Sequence, residues 1–220
     1  MGVFTSINNW FQANFLSLKF EKTGLIQFLA KNSSHIPIRV GCDSNIKSNI
    51  TNIKFLGIMI DITLMWKSHV EMIISKLSVA CVAVRAIKPF VMLDTIKIVY
   101  HSYYHSIINY KIIFWGNSSY SNSIFTLQKR IIRMIMDVGL RDLCTDFFLI
   151  LNILPLISQY ILSLLFFVVN NKTQFQMNSK MHKINTRNNS EFCQPLSHLT
   201  IYEKVPFMFV LMYITVFHLK

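Results

Sequence analysis

Acidic residues are scarce in this sequence: 10 Asp and Glu stand against 22 Lys and Arg in 220 residues, and no two acids are adjacent. Two-metal catalysis needs convergent carboxylates to hold its ions about 4 Å apart, and no stretch of the chain offers a ready pair. The closest acids, Asp142 and Asp146, read more plainly as a charged helix start. Glycine is as sparse. The six glycines (Gly2, Gly24, Gly41, Gly57, Gly116, Gly139) are too scattered to share a loop, which excludes the GxGxxG and P-loop phosphate cradles. A GxSxG nucleophile elbow is also missing. The four cysteines (Cys42, Cys81, Cys144, Cys193) form no CxxC and no dense framework, so reduced thiols inside a cell are expected. Charged residues make up 15% of the chain, below the roughly 25% of an average soluble domain. The hydrophobic share of 52% excludes a chain that is disordered throughout.

Long hydrophobic runs stop short of a membrane span. The start, MGVFTSINNWFQANF, has neither a basic n-region nor a continuous apolar core, so secretion is not expected. Residues 147–169 are interrupted by Asn152, Pro155, Ser158 and Gln159, and residues 205–219 number 15 where a spanning helix needs about 20. A buried helix, or sequence that no longer folds well, is the expected fate of both. What is abundant is positive charge: the formal net charge is +12, divided equally between the two halves. Such a surplus calls for an anionic partner, either nucleic acid or an acidic membrane surface.

Apolar spacing organises the chain. Residues 6–20 repeat Ile7, Trp10, Phe11, Phe15 and Leu18 on one helical face, with Ser6 as N-cap. Residues 24–31 have the length of a strand, and 32–53 read as a loop around a short strand at 35–40. Residues 54–60 (KFLGIMI) are a β-rich run with 64–66 as hairpin partner, and alternation turns either Phe55 or Leu56 to the core. From Ser68 the stripe Val70, Ile73, Ile74, Leu77, Cys81, Val84 predicts a helix ending before Pro89. A second helix follows Asp94 with Ile96, Val99, Tyr100, Tyr103 and Ile107 on its stripe. A third carries Ile124, Leu127, Ile131, Met134 and Ile135. A fourth opens at Asp142 and breaks at Pro155. Residues 170–204, rich in Asn, Ser, Thr, Lys and Gln, read as a linker. The predicted class is α+β: a small sheet, then a helical bundle.

Metal sites are weakly supported. His101 and His105 have the four-residue spacing of a helical zinc pair, but Ser102 stands where HExxH has its glutamate, and Tyr103 and Tyr104 favour a packed aromatic helix. Cys144, Cys193, His182 and His198 fit no zinc spacing. Trp10, Trp66 and Trp115 are expected to be core anchors. Lys129, Arg130 and Arg133 sit beside the third stripe, on a flank that either grips phosphates or is simply solvated.

Five blocks then fall into a familiar order: NNWFQANFLSLKFEKT, KFLGIMIDITLMWKSHV, YHSIINYKIIFWGNSS, LQKRIIRMI and LNILPLISQYI. Over residues 7–200 the chain resembles the C-terminal part of the reverse transcriptase of jockey-like non-LTR retrotransposons. The resemblance implies a palm remnant in 1–67, with 54–61 as the primer grip, and a thumb-like helical bundle in 68–137. Apolar connection helices would occupy 138–169, and a polar linker with a divergent apolar end 170–220. It implies a partner that is RNA or an RNA–DNA duplex, bound by Lys54, Gly57, Lys129, Arg130 and Arg133, in the cytoplasm or nucleus. A Gly57 without Cβ would let the grip strand approach another backbone. The family's magnesium is held by aspartates upstream of the first block, among them an adjacent Asp pair that these residues lack. No catalytic residue, metal ligand or cofactor is therefore assigned, and a fragment that binds template–primer without polymerising it is expected. Two alternatives stay open, a small basic membrane-associated protein and a functionless product of a decayed element.

Overall fold

The computed structural model describes residues 3–17, 26–29, 50–181 and 192–193. The chain divides into two units, Met1–Leu64 and Met65–Lys220. The described residues are mostly helical with one two-stranded antiparallel sheet, an α+β composition.

In the first unit, helix α1 spans Val3–Ala13 rather than starting at Ser6 and running on to Phe20. It stops at Phe15, which takes a left-handed φ of 57°. The Leu16 N–H then returns to the Phe11 carbonyl at 2.8 Å and the Phe15 N–H to Gln12 at 3.0 Å, the paired bonds of a Schellman end. Residues 18–20 lie outside the described residues. Trp10 is 60% exposed and only edges onto Phe11, so it is not the core anchor expected.

Strand β1 (Asn52–Phe55) pairs with β2 (Ile58–Asp61), with Asn52 opposite Asp61 and Phe55 opposite Ile58. The β-rich run is thus folded on itself, and the partner of β2 is upstream, not residues 64–66. The reason is the turn: Leu56 (φ 45°) and Gly57 (φ 80°) are both left-handed. That sign pattern belongs to a type I′ turn, whose twist matches the flanking strands. Asp61 ends the hairpin, its Oδ1 accepting from the Thr63 N–H and hydroxyl. Phe55 and Leu56 are both exposed, contrary to expectation, and Ile58 is the buried position. Of the strand expected over 24–31, the described part, 26–29, is not a strand; Leu29 only donates its N–H to the Ile62 carbonyl at 2.9 Å. The expected strand at 35–40 lies outside the described residues.

In the second unit, α2 (Lys67–Ile87) buries Val70, Ile73, Leu77, Ala80, Cys81 and Val84, close to the predicted stripe, and a short 3₁₀ turn, Lys88–Phe90, ends it around Pro89. Helix α3 (Leu93–Val99) runs into a π-helical segment, Tyr100–His105, and then α4 (Ser106–Asn109). The wider π turn rotates the stripe by one residue. Ile96, Tyr100, Tyr104 and Ile108 are buried, and the predicted Tyr103 is exposed. Helix α5 (Ile112–Trp115) leads to Gly116, where a Cβ would lie 2.5 Å from Tyr160 Cδ2; glycine is what lets the two segments approach.

Helix α6 (Ser121–Met136) packs against α2 and buries Ile124, Gln128, Ile131, Ile132 and Ile135. It ends at Asp137, left-handed at φ 61°. The next helix does not open at Asp142. Asp142 instead accepts the Gly139 N–H on Oδ2 at 2.7 Å, closing a turn, and α7 (Thr145–Leu151) starts three residues later with Asp146 in its first turn. Left-handed Asn152 and then Pro155 separate α7 from α8 (Leu156–Asn170). No single helix among the described residues is long and apolar enough to cross a membrane; α7 and α8 together pass that test but are bent by 53°. Trp115, Tyr100, Tyr104, Tyr160 and Leu156 are the large side chains at the centre.

The described part of the expected linker is folded. Phe175 is buried between the Phe167 and Phe192 rings, Met177 bridges to Phe192, and Cys193 donates its N–H to the Gln176 carbonyl at 2.7 Å. A 3₁₀ turn, Lys172–Gln174, and helix α9 (Asn178–Met181) complete it. Residues 205–219 lie outside the described residues.

Candidate nucleic-acid interface

Helical spacing puts Ser78, Cys81, Val82 and Arg85 on one face of α2, and Leu127, Arg130 and Met134 on one face of α6. The two faces line a cleft of about 160 Å³. Arg85 and Arg130 are exposed at its edges, and among the described residues neither is paired with a carboxylate. The Cys81 thiol lies on the floor. Burial pushes its pKa up while the positive charges of Arg130 and Arg85 pull it down, and the upward effect wins. The floor is therefore a neutral thiol that does not repel an anion.

Lys129, Arg130 and Arg133 lie on α6 in three different surroundings. Lys129 lays its Nζ over the Phe125 ring, 4.7 Å from the centroid, and Phe125 stacks on Phe148. Arg133 donates from Nε to the Asp142 carbonyl at 2.9 Å, holding the turn before α7. Only Arg130 faces the cleft, and its companion there is Arg85. The sequence reading missed Arg85 because it lies in the last turn of a different helix, and only the packing of α2 on α6 brings it near. Lys54 and Gly57 belong to the first unit: Lys54 is exposed on β1 opposite Met59, and Gly57 is in the turn, not within a strand. The demand on Gly57 is its positive φ, which most side chains resist.

Other candidates have structural roles. The rings of His101 and His105 meet edge to face at 5.3 Å, and burial, with His101 alongside, holds the His105 pKa below the usual histidine value. Among the described residues no group of three or more His, Cys, Asp or Glu is placed to hold a metal ion. His182 and His198 lie outside the described residues. Cys81, Cys144 and Cys193 are free thiols. Trp66 and Trp115 are buried on either side of His69, with ring centroids 6.2 and 6.1 Å away. Tyr100 and Tyr104 stack at 5.2 Å, and burial pushes both phenols well above their usual range, so neither serves as a base near neutral pH.

In comparisons with known proteins, no family model, no curated protein and no solved structure matches this chain. The site's own chemistry is two guanidiniums that, among the described residues, pair with no carboxylate, over a neutral lining of Ser78, Cys81, Val82, Leu127 and Met134.

Proposed function

We propose that this chain corresponds to the part of a jockey-like non-LTR reverse transcriptase that follows the catalytic hairpin, and that its own activity is to bind RNA or an RNA–DNA duplex through backbone phosphates. The observation that carries this reading is the pairing of Arg85 with Arg130 across the α2–α6 face. The five ordered sequence blocks and the net charge of +12 point the same way. The magnesium of that family finds no fitting donor set in these residues: no acids are adjacent, and none cluster among the described residues. The proposed activity is therefore binding without phosphoryl transfer.

The test is titration of the full chain with a labelled RNA–DNA hybrid at increasing salt. Phosphate binding makes log K fall linearly with log salt, by about 0.9 per contact on B-form duplex. Salt-independent affinity, or none, overturns the reading. Primer extension on an RNA template with magnesium or manganese should give no incorporation above a denatured control.

A second reading, attachment to an acidic membrane, is favoured by one observation. No charged residue occurs from Phe147 to Asn171, and Leu149, Ile150, Phe166 and Val169 of α7 and α8 are exposed. Flotation with vesicles containing phosphatidylserine, compared with neutral vesicles, tests it.

A further inference from the structure

The cleft is small. Pockets for whole small molecules measure roughly 300–1,000 Å³, against about 160 Å³ here. The space suits one phosphodiester and the edge of a sugar, not a nucleotide with its base. A polymer lying across the cleft can place one backbone linkage in it; a free nucleotide gains little from it.

The lining adds a preference. Each guanidinium offers a fork of N–H donors matched to phosphate oxygens. Val82, Leu127 and Met134 are apolar and suited to a sugar face. Ser78 is the discriminating group. Its hydroxyl proton is committed to the Ile74 carbonyl at 2.8 Å, so its oxygen meets the cleft as an acceptor. An acceptor beside a phosphate site is poorly matched to phosphate oxygens and well matched to a donor one bond path away, such as a ribose 2′-hydroxyl.

We infer that the α2–α6 cleft seats one phosphodiester of an RNA strand between Arg85 and Arg130, with the adjoining ribose on Val82, Leu127 and Met134 and its 2′-hydroxyl donating to Ser78 Oγ. This rests on the nucleic-acid reading above and adds to it the strand chemistry, ribose over deoxyribose.

The experiment is fluorescence anisotropy of the full chain with labelled oligouridine and its deoxy counterpart, with circular dichroism confirming that each variant keeps its helices. The wild type should favour RNA by about two- to tenfold, the range of one neutral hydrogen bond. Ser78→Ala should bring that ratio close to one and leave DNA affinity in place. The double change Arg85→Ala and Arg130→Ala should lower the salt slope by about 0.7, the value for one phosphate contact on a single strand. Lys129→Ala with Arg133→Ala should lower it by less, and uridine triphosphate should not compete. If the wild type binds but the Arg85/Arg130 variant keeps its slope, the cleft is not the site and the general nucleic-acid reading survives. If RNA and DNA bind equally, or Ser78→Ala leaves the ratio unchanged, the ribose contact is overturned. If the wild type binds neither strand, both readings fall.

Discussion

Gln128 on α6 donates from Nε2 to the hydroxyl of Tyr100 at 3.1 Å, 28 positions earlier in the chain, and to the Leu154 carbonyl at 2.9 Å. Its Oε1 accepts the Leu156 N–H at 2.9 Å. One buried amide therefore ties the π-helical segment to the corner between α7 and α8. It satisfies backbone groups on both sides of Pro155, which has no N–H of its own.

Replacing Gln128 with Leu keeps the apolar volume roughly constant and strips partners from a hydroxyl, a carbonyl and an N–H at once. A loss of about 2–4 kcal/mol is expected, since each buried polar group left unpaired costs about 1–3 kcal/mol and the corner can partly relax. Urea unfolding followed by fluorescence measures it. A loss under about 0.5 kcal/mol would show that water or neighbouring groups replace the amide.

His69 makes the fold acid-sensitive. Burial, and secondarily the positive charge of Lys76, lowers its pKa from 6.5 to about 4. On acidification the unfolded chain takes up this proton first, so the stability linked to His69 is fully present above the unfolded value of 6.5 and is lost as pH falls toward 4. The lost stability amounts to roughly 3 kcal/mol at most. His105 is shifted in the same direction and adds to the slope. Stability measured across that window should decline in the wild type and decline less in His69→Gln. Parallel curves would remove His69 as the cause.

The hairpin turn separates a structural from a binding role for Gly57. Asparagine tolerates left-handed backbone and valine does not, so Gly57→Asn should keep the hairpin and Gly57→Val should loosen it. Leu56, exposed and also left-handed, should gain about 0.5–1 kcal/mol locally on replacement by Asn, which creates the Asn-Gly turn favoured in two-residue hairpins. Hydrogen exchange at the Ile53 and Ile60 amides reads the hairpin directly. If Gly57→Asn preserves protection yet weakens RNA binding, a close backbone approach at Gly57 is supported. Unchanged binding would retire Gly57 and leave Lys54 as the hairpin's remaining contact.

Periodicity was enough to locate α2 and α6, because a long stripe with few interruptions leaves one way to bury its apolar side: Val70 to Val84 and Ile124 to Ile135 lie where the spacing puts them. The net charge of +12 supplies the expectation of an anionic partner, and the scatter of the six glycines excludes the GxGxxG and P-loop patterns. What depends on distant neighbours was not readable. The run KFLGIMI looks like one strand, and only its pairing with Asn52–Phe55 reveals the turn at Leu56-Gly57. A π segment leaves no mark on the apolar pattern, yet it shifts burial from Tyr103 to Tyr104. Gln128, a polar residue of α6, is buried because Tyr100 and the Leu154–Leu156 corner complete its hydrogen bonds. Charge follows the same division. The sequence by itself determined how many cations there are. The tertiary structure decided that Lys129 and Arg133 are held by Phe125 and the Asp142 carbonyl, and that Arg130 shares its cleft with Arg85. Local spacing sets what a helix face contains, but which faces meet is set by packing between residues far apart in the chain.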